Sequence, residues 1–185
     1  MGKEKYMSPA RKIKTLKTKI IIAGAPGAGK SFIARAADTC IPSQEIGVSI
    51  GKISETIEDT SREITLMTWA ITEGRPREST HLKHAQAAIV VCDLNKPETV
   101  VQTPEWANRI LNYAGDIPIF FAANNVNQGS RDTYRLLRRV ANKYNSACFP
   151  ILAKDRESAR DLLGIIAWEL SDYLESEGQE ELVSW

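Results

Sequence analysis

Gly24-Ala25-Pro26-Gly27-Ala28-Gly29-Lys30-Ser31 is the stretch on which the reading of this chain turns. It fits the pattern G-x-x-x-x-G-K-[ST]. The preceding run, Lys19-Ile20-Ile21-Ile22-Ala23, is apolar and of strand length. The following run, Ser31-Phe32-Ile33-Ala34-Arg35-Ala36-Ala37, has the composition of a helix. Strand, glycine loop and helix in that order make a phosphate cradle, because glycines let backbone N–H groups turn inward and the helix start adds partial positive charge. On this reading Gly24, Ala25, Gly27, Ala28, Gly29, Lys30 and Ser31 surround phosphate. Lys30 reaches the β- and γ-phosphates, and Ser31 holds Mg²⁺. The bland alternative is a glycine-rich turn with no ligand.

The 185 residues suit one domain with a substantial core. A hydrophobic share of 43% and a charged share of 25% are those of a folded globular chain rather than a disordered one. The net charge of +1 excludes a molecule built as a whole to bind polyanions, so nucleic acid is not the expected partner. The charge is uneven, however. Lys3, Lys5, Arg11, Lys12, Lys14, Lys17 and Lys19 face Glu4 alone, whereas Asp172, Glu175, Glu177, Glu180 and Glu181 crowd the other end. Residues 1–17 therefore read as a basic flexible extension, 18–174 as the folded domain and 175–185 as an acidic tail. The basic end is either solvated or a contact for an anionic surface. Cys40, Cys92 and Cys148 are odd in number and widely spaced, and Cys92 lies in an apolar run, so reduced thiols are expected. No signal peptide, membrane-spanning run or lipidation motif is read, and a cytoplasmic location is expected.

Strand patterns fall at residues 18–23, 46–57 and 64–69, the last two as a hairpin around the turn Glu58-Asp59-Thr60-Ser61. Ala87-Ala88-Ile89-Val90-Val91-Cys92-Asp93 and Ile117-Pro118-Ile119-Phe120-Phe121-Ala122-Ala123 are unbroken apolar runs, as parallel strands buried on both faces require. Residues 147–152 give a sixth strand. A helix after the phosphate loop runs to about Cys40, closed by Pro42. Trp106, Ile110 and Tyr113 share one later helix face, Leu137, Val140, Ala141 and Tyr144 another, and Leu163, Ile166, Leu170 and Leu174 a third. These stripes are core positions. The expected fold is α/β, a mostly parallel six-stranded sheet flanked by helices on both faces.

This order of elements resembles the small GTPases of the Ras superfamily, with a Rab-like character, over about residues 18–174. Glu45-Ile46-Gly47-Val48 is similar to the family's T-I-G-V, and Ala88-Ile89-Val90-Val91-Cys92-Asp93 to its fourth strand. Where many members carry W-D-T-A-G-Q, this chain has Trp69-Ala70-Ile71-Thr72-Glu73-Gly74. Asn124-Asn125-Val126-Asn127 stands at the guanine-reading N-K-x-D, and Leu152-Ala153-Lys154 at the late S-A-K. The resemblance implies a P-loop NTPase fold, Mg²⁺ with GTP or GDP, and a regulatory or effector protein as partner. It implies base contacts from Asn124, Asn125, Asn127, Ala153 and Lys154.

The departures have chemical consequences. Glu45 replaces the Thr that completes the Mg²⁺ shell, and a carboxylate there faces a polyphosphate. Ala70 lacks the carboxylate that anchors the Mg²⁺ hydration shell. Gly74 lacks the amide that orients attacking water, so hydrolysis is expected to be slow or absent. Two residues are candidates for catalysis. Glu73 either orders water or is a surface carboxylate. Asp93 is either structural or the Walker-B acid of another P-loop class. At position 127, Asn offers one acceptor and one NH₂ donor where Asp accepts twice from guanine. Losing one charge-assisted bond weakens guanine binding roughly 10- to 150-fold and suits a base with oxygen at position two, such as xanthine. The readings left open are a slow GTPase-like signalling switch or adaptor, an NTPase of another class, and a partner-binding pseudoGTPase.

Overall fold

A computed structural model describes residues 14–37, 39–43, 48–57, 62–71, 78–152 and 155–176. The elements run β1 (Lys14–Ala23), α1 (Lys30–Ala36), β2 (Thr39–Ser43), β3 (Val48–Ile57), β4 (Arg62–Ile71), α2 (Glu78–Leu82), β5 (Ala87–Asp93), α3 (Pro97–Val101), α4 (Thr103–Ala114), β6 (Ile119–Asn124), α5 (Arg131–Lys143), β7 (Cys148–Pro150) and α6 (Arg156–Ser176). They form an α/β structure around one sheet of order β2-β3-β4-β1-β5-β6-β7. From β4 to β7 the strands are parallel; β2 and β3 add an antiparallel edge.

Period-two alternation along β1 divides the core. Ile20 and Ile22 join Ile33 and Ala34 of α1 and Leu163, Ile166 and Leu170 of α6 on one face. Ile21 and Ala23 join Leu82, Val100, Trp106, Ile110, Leu137 and Val140, from α2 to α5, on the other. Central strands covered on both sides need no polar face, which is why β5 and β6 are buried at every position. Each fully buried Ile or Phe in these strands contributes about 1.5–3 kcal/mol relative to exposure. Cys92 is buried among them, and burial pushes its thiol pKa up. Among the described residues no helix is long and apolar enough to cross a membrane.

Five details differ from the sequence reading. The sheet has seven strands rather than six, because the stretch around Pro42 forms the edge strand β2 instead of ending a helix. An edge position suits proline, whose missing N–H need cost no ladder bond there. The first strand begins at Lys14, inside the residues taken for the flexible extension, and pairs with β4 from Arg62 onward. Tyr113, placed on the core face of its helix, is 48% exposed. The last helix also runs past residue 174 to Ser176, into what was read as the acidic tail.

Lys19 is the fifth. Counted with the basic end, it is only 5% exposed, so it offers little charge to an anionic surface. Its ammonium donates to the Lys83 carbonyl at 2.8 Å and lies 4.5 Å from the Trp69 ring centre. Burial lowers its pKa. The folded chain then releases this proton at lower pH than the unfolded chain. The cost of the buried charge is full below the folded pKa and fades as pH rises towards the ordinary lysine value. Lys19→Met should therefore change neutral-pH stability by no more than about 1 kcal/mol, the lost contacts offsetting the relieved burial. It should also flatten the alkaline rise in stability, which urea unfolding between about pH 8 and pH 10 would read.

Candidate functional site

The loop of residues 24–31 leaves the C-terminal end of β1, the strand flanked in parallel by β4 and β5. After β4 the chain crosses over β1 to form β5. The loop thus lies where strand order reverses, the place where open α/β sheets bind ligands. Gly24 has φ +141°, and a Cβ there would run into the Val91 carbonyl of β5. Gly29 has φ +110°, and a Cβ there would meet the Asn124 amide. Neither position accepts a side chain, so the loop backbone packs closely against the ends of β5 and β6.

The loop is tied internally. The Ala28 N–H donates to Ala25 at 3.2 Å, and the Phe32 and Ile33 N–H groups both donate to the Gly29 carbonyl. Gly29 caps α1 without a side-chain bond. Lys30 folds over the loop, its ammonium donating to the carbonyls of Gly24 at 2.7 Å and Ala25 at 2.8 Å. Ser31 is exposed in the first turn. A glycine-rich loop with a lysine bent across it and an exposed hydroxyl beside it offers donors of the kind that phosphate oxygens require.

A second group of residues stands at the ends of β5 and β6, where Asp93 and Asn124 pair in register. Asn124 is 9% exposed and donates through Nδ2 to the Ala28 carbonyl at 3.1 Å, joining β6 to the loop of residues 24–31. Its Oδ1 accepts from the Asn125 N–H. Asn125 adopts φ +59° and turns its amide back to Asp93, Nδ2 to Oδ1 at 2.6 Å. The same Asp93 oxygen accepts from the Asn95 N–H at 3.0 Å. Asp93 is 5% exposed, and this bonding gives it a structural use: it clamps the turn after β5 to the turn after β6. An Asn95–Gln128 side-chain bond of 3.1 Å and the close approach of Gly129 to Leu94 complete the clamp. Asn127, beyond it, is exposed.

The chain matches no protein-family model and no curated protein.

The sequence-derived candidates are thus distributed unevenly. The loop of residues 24–31 and Asn124 come together. Asn125 bonds through its side chain to Asp93. Asn127 has no hydrogen-bond partner among the described residues. Glu45, Glu73, Gly74, Ala153 and Lys154 lie outside the described residues. Ala70 is buried in β4 and presents no oxygen. Among the described residues no three His, Cys, Asp or Glu side chains gather as a metal cluster, so Ser31 is the one candidate here with a motif-assigned metal role. A cavity of about 490 Å³ lined by Asp116, Tyr144, Glu169 and Tyr173 shares no residue with the loop. Sequence reasoning missed Lys96. Its ammonium lies 3.2 Å from where a Cβ on Gly27 would stand. No motif marks that lysine; only the path of the turn brings it to the loop.

Proposed function

We propose that this chain is a nucleotide-binding switch or adaptor of small-GTPase type, holding a nucleoside di- or triphosphate in the loop of residues 24–31 and turning it over slowly or not at all. The observation that carries the reading is the loop itself: side-chain-free at Gly24 and Gly29, overlaid by Lys30, and sited where strand order reverses. The Asn124 bond to Ala28 supports it, since it couples the base-side turn to the phosphate side. Ser31 would hold Mg²⁺ together with phosphate oxygens and water; the ion neutralises phosphate charge when bound. Lys30 would exchange its two carbonyl partners for phosphate oxygens. Ala70 supplies no group to anchor a Mg²⁺ shell, which favours a binding role whose output is a regulatory or effector protein.

Equilibrium dialysis with GTP, GDP, XTP and ATP, each with Mg²⁺, tests this reading. Retention of a guanine or xanthine nucleotide is expected. Retention of ATP alone would replace it with a P-loop NTPase of another class. In that case Asp93→Asn should abolish hydrolysis; on the present reading it loosens the clamp and leaves the slow rate where it was. Position 127 gives a further expectation. Asn127→Asp should raise the ratio of GTP to XTP affinity at least about tenfold, because a carboxylate accepts both guanine donors. Competition titration of the two nucleotides reads that ratio directly, and an unchanged ratio would remove residue 127 from the base site.

A further inference from the structure

The turn after β5 places a charge that the proposed binding site does not yet use. Lys96 ends the turn Asp93-Leu94-Asn95-Lys96 and precedes Pro97, the first residue of α3. Its backbone is fixed on both sides. The Lys96 N–H donates to the Asp93 carbonyl at 2.9 Å, and the Lys96 carbonyl accepts from the Thr99 N–H at 2.8 Å and the Thr99 hydroxyl at 2.7 Å. Asp93 is itself held by Asn125 and Asn95. A rigid turn therefore carries a long side chain whose ammonium stands against Gly27, in the middle of the loop.

That ammonium has no hydrogen-bond or ion-pair partner among the described residues. A hydrated lysine tip with no partner gains side-chain entropy by extending into solvent. Here it lies over the loop backbone, 3.2 Å from where a Cβ on Gly27 would stand. Residues 24–31 contain no carboxylate, so Lys30 and Lys96 make the loop doubly cationic with no counter-charge inside it. Two fixed cations beside inward-facing amides suit a ligand carrying several negative charges.

We infer that Lys96 is a second cation of the phosphate site, reaching the phosphates of a nucleoside polyphosphate from the β5–α3 turn while Lys30 reaches them from α1. The inference rests on the reading of residues 24–31 as a phosphate loop. Calorimetric titration of the full chain with GTP and with XTP, each with Mg²⁺, tests it on Lys96→Ala, Lys96→Met and Lys96→Arg. Ala and Met should each weaken triphosphate binding about tenfold, Arg less than about threefold, and the losses should shrink at high salt. Melting without nucleotide should match the parent chain, since the side chain is exposed. Unchanged affinity in Lys96→Ala beside a binding parent chain would overturn this inference alone. Parent-like affinity in Lys96→Met with loss only in Lys96→Ala would also overturn it, showing packing of the stem rather than charge. A parent chain that binds neither nucleotide would overturn the phosphate-loop reading, and this inference with it.

Discussion

Lys30→Ala should weaken nucleoside triphosphate binding about 100-fold or more while leaving the fold in place. The ammonium reaches the Gly24 and Ala25 carbonyls across the loop, so it is already poised over the space where phosphate would sit. Bonds between an ammonium and phosphate are charge-assisted, about 1.5–3 kcal/mol each, and two of them set that factor. The stability cost should be small. Lys30 is half-buried at the surface, and the loop keeps its backbone bonds from Ala28, Phe32 and Ile33 without it. Calorimetric titration paired with urea unfolding separates the two effects. Affinity lost with the unfolding midpoint retained is the expected pattern. Equal affinity in the parent chain and in Lys30→Ala would place the ligand elsewhere.

Gly24→Ala is expected to have the largest effect on stability, on the order of 3 kcal/mol, and to abolish binding as well. Two costs combine there. A residue with a Cβ must adopt φ +141°, a strained conformation costing about 1–3 kcal/mol. The new Cβ must also displace the Val91 carbonyl, which belongs to the central strand β5 rather than to a yielding side chain. For a chain of this length the melting point should fall by about 6–12 °C. Gly115→Ala is the control. That residue also has positive φ, +88°, but a Cβ there would meet nothing within 4 Å. Its cost should be confined to the strain of that backbone conformation, about 1–3 kcal/mol, with no clash added to it. Similar losses at the two glycines would mean that close packing against β5 contributes nothing.

The sequence announces the parts of this fold whose signal is local. Ile20, Ile21 and Ile22, the run ending at Asp93 and the run through Phe121 are strands buried on both faces, and unbroken apolarity is enough to find them. The motif of residues 24–31 stands out for the same reason, since its glycines, lysine and serine are contiguous. Features set by neighbours in space are not. Pro42 reads as a helix stop until β3 is seen to run beside it, leaving proline on a sheet edge. Lys19 reads as one more surface cation until Trp69 and the Lys83 carbonyl are found around it. Tyr113 shares a helical stripe with the buried Trp106 and Ile110, yet it is itself exposed. Asn125 looks like a base contact in its motif. Only the pairing of β5 with β6 shows that Asp93 stands close enough to take its amide.

The central claim is that residues 24–31 hold nucleoside polyphosphate, and ligand-linked stabilisation tests it most directly. A ligand that binds only the folded chain adds about 2.7 kcal/mol of stability at 100 times its dissociation constant. At 185 residues that corresponds to a rise of roughly 5–11 °C in melting temperature. Melting curves with increasing Mg²⁺-GTP or Mg²⁺-XTP should climb in this way for the parent chain and stay flat for Lys30→Ala. No shift with GTP, GDP, XTP or ATP at millimolar concentration, or an equal shift in Lys30→Ala, would contradict it.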